Sequence, residues 1–225
     1  MSESAIQFPD RLMIFIDGQN LIYACQKFAN GHEQNYKFHC REEDLERCLV
    51  NMRPNRKHIQ TRFYTAIVEP DPERGLQDIE RYRRQWKKQQ ALKTKLKWYV
   101  FSKKIRAYPF FCPYCRWANI QTQVVCSKCG NTLKEVKNKG VDVALATDLL
   151  IYGMFETSSS YDVAILVSGD NDFIPVIEKL KERRPEVKVE VAQFNNAVGD
   201  DMIRATDKFY ALDDCADKIG RLYQK

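Results

Sequence analysis

Two apolar runs constrain the fold of this chain more than any other feature: Leu12 to Ile16 and Val163 to Val167, five residues each without a polar side chain. A strand buried on both faces reads as a continuous apolar run, and such strands belong to parallel sheets covered on both sides. Each run ends on an acid-bearing turn. Asp17-Gly18-Gln19-Asn20 follows the first, and Ser168-Gly169-Asp170-Asn171-Asp172-Phe173 follows the second. A third acidic stretch, Lys139-Gly140-Val141-Asp142, opens an apolar helical stripe. The C-terminal ends of parallel strands converge on one crevice. Several Asp side chains gathered there repel one another unless a cation holds them, and hard oxygen donors suit Mg²⁺ or Mn²⁺. The pattern points to metal-assisted phosphodiester chemistry.

The rest of the chain alternates strands with helices. After Leu12 to Ile16, a helix runs over Asn20 to Phe28. Leu45, Cys48, Leu49 and Met52 give helical spacing over Glu42 to Met52. Ile59 to Val68 reads as a strand ended by Pro70 and Pro72. A long helix follows from Glu73 to Leu92, then a strand at Leu96 to Phe101. Val141 to Tyr152 is helical, with Val141, Leu145, Leu149 and Tyr152 on one stripe. Val163 to Val167 is a strand, Asp172 to Lys181 a helix, Val187 to Ala192 a strand, Asn195 to Ala205 a helix, and Phe209 to Leu212 a short edge strand. This alternation predicts right-handed β-α-β units around a mostly parallel sheet, an α/β fold.

The 225 residues suffice for one sizeable α/β domain with a small appendage. No apolar run approaches bilayer-spanning length, and Met1 to Asp10 lacks a signal-peptide core, so the expected location is cytoplasmic. The net charge of +6 is mild but uneven. From Arg81 to Lys104 the chain carries only cations among its charged residues, with Tyr82, Trp86, Trp98, Tyr99 and Phe101 interleaved. Positive charge beside ring faces suits a nucleic-acid strand, although charge runs more often form a solvated helix face. Arg81, Arg84, Lys87, Lys88, Lys103, Lys104 and Arg116 are the candidate nucleic-acid contacts.

Cys112-Pro113-Tyr114-Cys115 and Cys126-Ser127-Lys128-Cys129 are two C-x-x-C knuckles. Two such turns supply a tetrahedral set of four thiolates, the geometry of structural Zn²⁺. Cys112, Cys115, Cys126 and Cys129 are therefore expected to hold zinc in a closed, non-catalytic site. Cys25, Cys40, Cys48 and Cys215 lack ligand spacing and read as buried thiols. His32, His39 and His58 form no pair at helical spacing, which argues against His-based catalysis.

At the acidic turns, Gly18 and Gly169 allow close backbone approach, and Ser168 can hydrogen-bond a carboxylate. Asp142 sits in a helical first turn, where the dipole lowers the cost of its charge. A single Asp after a strand is usually a helix N-cap. That reading must also account for three acidic element ends together with Asn20 and Ser168. A dehydrogenase is disfavoured because G-x-G-x-x-G is absent.

The chain resembles the NYN domain family, in its LabA-like branch, within the wider PIN-like nucleases. The residues that carry the resemblance are Phe15-Ile16-Asp17-Gly18-Gln19-Asn20, Lys139 to Asp148, and Leu166 to Phe173, with a later echo at Ala205-Thr206-Asp207-Lys208-Phe209. The resemblance implies a PIN-like three-layer α/β/α sandwich over residues 11–107 and 138–212. Residues 108–137 depart from the minimal family domain as an inserted zinc ribbon, and 213–225 form a C-terminal helix or tail.

The resemblance further implies a Mg²⁺- or Mn²⁺-dependent ribonuclease acting on RNA, expected to be single-stranded. Asp17, Asp142, Asp170 and Asp172 map onto the family's acidic cluster. Asn20 and Ser168 support them from behind, and Asn20 would orient Asp17 or a water. Asp148 also matches a family acid, but on an ideal helix it points about 120° away from Asp142, so it is expected to act indirectly. No membrane partner is expected, and the sequence leaves a homo-oligomer open. The alternative reading is a non-catalytic RNA-binding or assembly module on the same fold.

Overall fold

A computed structural model describes residues 8–32, 36–70, 76–105, 107–109, 134–136 and 140–224. The chain begins with β1 (Asp10–Asp17), α1 (Gly18–His32), β2 (Tyr36–Cys40) and α2 (Glu42–Val50). Then come β3 (Arg56–Val68), α3 (Leu76–Thr94), β4 (Tyr99–Ile105), and the short strands β5 (Ala107–Pro109) and β6 (Lys134–Val136). The second half holds α4 (Val141–Met154), β7 (Val163–Val167), α5 (Ile174–Arg183) and β8 (Lys188–Gln193). It ends with α6 (Asp200–Ala205), β9 (Lys208–Ala211), α7 (Ala216–Ile219) and β10 (Gly220–Gln224).

Six strands form the central sheet in the order β4-β3-β1-β7-β8-β9, and every neighbouring pair is parallel. Along β1 the side chains alternate between two cores. Leu12, Ile14 and Ile16 face α1, α2 and α3, and Met13 and Phe15 face α4, α5 and α6. Both faces of the sheet are therefore covered, which explains why β1 and β7 read as unbroken apolar runs. Fully burying each such side chain contributes roughly 1.5–3 kcal/mol. The expected three-layer α/β/α sandwich is present.

The winding of the sheet sets the position of the acidic turns. From β1 the chain proceeds to β3 and β4 on one side, then crosses through α4 to β7 on the other side and continues to β8 and β9. Its direction reverses between the adjacent strands β1 and β7, and such a switch point opens a crevice at the C-terminal strand ends. Asp17 closes β1, and Ser168 to Asp172 leave β7.

Several boundaries differ from expectation. The fourth strand starts at Tyr99, not Leu96, because Lys97 takes a left-handed conformation (φ 56°) that ends the turn after α3. The helix expected over Asn195 to Ala205 is broken. A 3-10 turn at Asn195–Ala197 is followed by extended Val198 and Gly199, and α6 begins only at Asp200. The helix after β7 likewise opens with a 3-10 turn, Asn171–Phe173. The C-terminal residues are not only helical: β10 pairs antiparallel with β2, joining Tyr36 to Gln224 and Cys40 to Gly220.

The four cysteines expected to bind zinc, and Arg116 beside them, lie outside the described residues. Cys25, Cys40, Cys48 and Cys215 are free thiols. The Cys215 thiol donates to the Leu212 carbonyl oxygen at 3.6 Å. No helix among the described residues is long and apolar enough to cross a membrane.

Candidate active site

Asp17 carries two structural duties. Its Oδ1 accepts hydrogen bonds from the backbone N–H groups of Gln19 (3.1 Å) and Asn20 (3.0 Å), so it caps the start of α1. Its Oδ2 accepts a hydrogen bond from Ser168 Oγ at 3.3 Å. A carboxylate holding such bonds ordinarily titrates low. Asp17 does the opposite. It is only 3% exposed, and burial, reinforced by the negative charge of Asp142, raises its pKa to about 6 against these hydrogen bonds.

Ser168 is fully buried and links the two strand ends: it donates to Asp17 and its Oγ accepts from the backbone N–H of Asp170 at 3.2 Å. Asn20 makes a second link. Its Oδ1 accepts from the backbone N–H of Gly169 at 2.9 Å and from Gln193 Nε2 at 2.8 Å. The sequence reading gave Asn20 to Asp17 or to a water; the structure instead uses its side chain to fix the turn after β7. Gln193, buried at the end of β8, was not anticipated. Its only signal is an amide that closes the strand directly after Val191 and Ala192.

Asp170 caps the 3-10 turn after β7, its Oδ1 accepting from the backbone N–H of Asp172 at 3.0 Å. Asp172 is exposed within that turn. Asp142 stands on the first turn of α4, which starts from Gly140 in a left-handed conformation (φ 98°). Burial raises the Asp142 pKa, and the charges of Asp170 and Asp172 raise it further. The four carboxylates thus share one electrostatic environment, in which Asp142 feels Asp170 and Asp172, and Asp17 feels Asp142. A methyl placed on Gly140 would stand 2.9 Å from Lys103 Nζ, so this ammonium packs over the α4 N-terminus.

The donor chemistry fits a hard divalent cation: carboxylates at the C-terminal end of the sheet, with Asp142 made harder to ionise by Asp170 and Asp172, and Asp17 by Asp142. Their spacing is wider than that of an assembled site. Among the described residues no three Asp, Glu, His or Cys side chains are gathered closely enough to hold one ion.

Asp148 belongs to a different constellation. Its Oδ2 accepts from Arg62 Nη2 at 2.7 Å and from Tyr64 OH at 2.6 Å. Arg62 is buried in the middle of β3, and its guanidinium stacks between the rings of Tyr99 and Tyr152, 3.8 and 4.5 Å from their centroids. Asp148 neutralises that cation under α4, about 9 Å along the helix axis from Asp142.

The candidate nucleic-acid cations are divided. Arg81, Arg84, Lys87 and Lys88 are exposed on α3, in the layer of α1 and α2, and Lys88 is paired with Glu42. Lys103 and Lys104 are on the edge strand β4. The cations of α3 therefore sit in the layer opposite the helix that bears Asp142.

Comparison with known proteins returns three findings. The family model described as the NYN domain matches residues 11–213. The chain is 26% identical over 209 residues to low amplitude and bright protein LabA of Synechococcus elongatus, covering 92% of this chain and 86% of that one. It also superposes on the crystal structure of a Vibrio parahaemolyticus protein of unknown function. That match has a TM-score of 0.54 and 19% identity, and covers 98% of this chain and all of the other.

Proposed function

Because this chain belongs to the NYN domain family, we propose that it is a divalent-metal-dependent ribonuclease whose acidic cluster is Asp17, Asp142, Asp170 and Asp172. The observation that carries this reading is electrostatic. Two carboxylates from different elements, Asp17 and Asp142, have raised pKa values, in part through other members of the same set. Four acids that only capped helices would have no reason to share a crevice.

In this reading the four carboxylates hold Mg²⁺ or Mn²⁺ at the β1/β7 switch point. When bound, the ion would supply charge neutralisation of the scissile phosphate and activation of water. The chain's own residues supply position. Ser168 and Asn20 fix the turn after β7 against β1 and α1. Gly169 keeps that turn pressed on the 195–199 segment, and Lys103 brings positive charge to the α4 end of the crevice. Asp17 is ionised above about pH 6 and can then act as a ligand. Single-stranded RNA is the proposed substrate, cut to 5′-phosphate and 3′-hydroxyl ends in a cytoplasmic setting. Zn²⁺ on Cys112, Cys115, Cys126 and Cys129 is proposed as a structural element.

The test is cleavage of end-labelled single-stranded RNA with Mn²⁺ or Mg²⁺. Wild-type protein should cut, and the Asp17→Asn and Asp170→Asn proteins, shown to be folded, should not. Equal cleavage by both variants would mean a contaminant and would remove the proposal. The wide spacing of the carboxylates favours a second reading, an RNA-binding module without catalysis. That reading requires RNA binding by wild type with no cleavage under any divalent ion.

A further inference from the structure

Helix α4 is apolar on its outer side as well as its inner one. Its inner stripe, Val141, Leu145 and Leu149, fills the core against the sheet. Its outer stripe should be polar on a helix that faces water. Instead it presents Val143 (67% exposed), Ile151 (45%) and, just past the helix end, Phe155 (62%). Thr147 is exposed between them, and Leu150 and Met154 are half-buried alongside. No charged side chain interrupts the stripe from Val143 to Phe155, since Asp148 is turned inward onto Arg62 and Tyr64. A contiguous apolar patch of this length marks an interaction surface.

We propose that α4 is the interface between two copies of this chain, packed antiparallel about a twofold axis near Thr147. Three arguments select a second copy as the occupant. First, a twofold contact requires a patch that tolerates itself, and a stripe without charge does. Second, the shape is self-complementary. Thr147, near the middle of Val141–Met154, is small enough for close helix approach, and an antiparallel pair sets the bulky Ile151 of each copy against the smaller Val143 of the other, with Phe155 one turn further from the axis. A parallel pair would instead bring the two Asp142 carboxylates and the two positive helix ends together. Third, the area is sufficient. The exposed parts of these side chains amount to on the order of 500 Å² per copy, or about 1,000 Å² for the pair, the lower bound for a specific interface. Asp142 directly precedes Val143, so the interface borders the carboxylate crevice, and the two crevices open at opposite ends of the paired helices.

Sedimentation velocity of the full chain between about 1 and about 100 µM tests the proposal, since an interface of this size is expected to associate in that range. The expected result is a species of twice the 26.4 kDa chain mass. Ile151→Asp and Phe155→Asp each bury a charge in the pair and should weaken association by at least about 100-fold. Both side chains are exposed in the single copy, so circular dichroism melts taken at concentrations where wild type is monomeric should match, while the extra stability that wild type gains with concentration should be lost. Thr147→Cys should give an intermolecular cross-link with a short bis-maleimide that wild type does not give. A monomer throughout the concentration range overturns the proposal and leaves another protein, or another segment of this chain, to cover α4. A dimer indifferent to both Asp substitutions, or one without the Thr147→Cys cross-link, overturns it equally.

Discussion

Asn20 and Gly169 lie 149 positions apart in sequence and are joined by one hydrogen bond of 2.9 Å, from the Gly169 backbone N–H to the Asn20 side-chain oxygen. The bond ties the start of α1 to the turn that presents Asp170. Gln193 donates to the same oxygen, so three strand ends meet at one carbonyl. Asn20→Ala leaves the partly buried Gly169 N–H and the buried Gln193 amide without that acceptor. The expected cost is about 2 kcal/mol of stability, read as a lower midpoint in chemical denaturation. Loss of RNA cleavage should exceed loss of fold, because the Asp170 turn loosens first. Asn20→Asp keeps the acceptor but adds a fifth negative charge, so it should retain stability better than Asn20→Ala in the presence of Mn²⁺.

Gly169 has a second constraint. A Cβ at this position would stand 1.9 Å from the carbonyl oxygen of Ala197 and 3.0 Å from the Val198 Cα, both backbone atoms that cannot rotate away. Gly169→Ala should therefore displace the 195–199 segment and cost roughly 3 kcal/mol or more, the range of strain and overpacking combined. Gly199→Ala is the control. Its nearest neighbours are the Asn171 side-chain atoms at 3.8 Å, and its effect should lie within about 0.5 kcal/mol. Thermal melts of the two proteins decide the matter, and equal destabilisation would contradict the close approach.

Asp148 shares a helix with Asp142 but should behave differently under mutation. Removing it strands Arg62, whose side chain is 5% exposed. Breaking one partner of a buried pair costs about 3–5 kcal/mol. The two rings on Arg62 and the remaining exposure of Asp148 place this pair at the low end. Asp148→Ala should thus lower the melting temperature, while the protein that remains folded retains specific activity per folded molecule. Asp142→Ala should do the reverse, abolishing cleavage at little cost in stability. If Asp148→Ala were inactive at temperatures where it is fully folded, a purely structural role for Asp148, holding Arg62 and Tyr64, would fail.

The strands that frame the crevice were legible because burial on both faces removes every polar residue from them, as in Leu12 to Ile16 and Val163 to Val167. The acidic turns were legible for the same reason, standing where those runs stop. What the sequence concealed was set by long-range neighbours. Tyr36–Cys40 becomes a strand only because Gly220–Gln224 pairs with it from the far end of the chain. The break at Val198 and Gly199 answers to the Gly169 turn, which local helical spacing cannot register. Asp148 matched a family acid by position, yet its partner was decided by Arg62, a charge placed in the middle of the buried strand β3. A guanidinium beside Phe63 and Tyr64 in the buried half of that strand was the available signal that some nearby carboxylate would be consumed in neutralising it.

Asp17 provides the sharpest physical test, because its pKa makes stability depend on pH in a stated direction. Its ordinary value is 3.8 and burial raises it to about 6 in the folded protein. Between those values the unfolded chain has already lost the proton while the folded chain keeps it. Unfolding therefore becomes easier as pH rises from about 4 to about 6, and above that window the native protein carries the full penalty of a buried charge. Asp17→Asn removes the penalty and keeps the cap. The Asn oxygen can still accept from the Gln19 and Asn20 N–H groups, and its amide can donate to Ser168 Oγ, whose own proton is free to rotate. In chelator at about pH 7.5 the Asp17→Asn protein should be more stable than wild type by roughly 2–3 kcal/mol. Near pH 3 the two should converge, because Asp17 is then protonated in both states. Adding Mn²⁺ at neutral pH should raise the wild-type melting temperature and leave Asp17→Asn nearly unmoved, since the charge that destabilises the free protein is the one that would grip the ion. An Asp17→Asn protein less stable than wild type in chelator at neutral pH would show that the hydrogen bonds at Asp17 outweigh its burial.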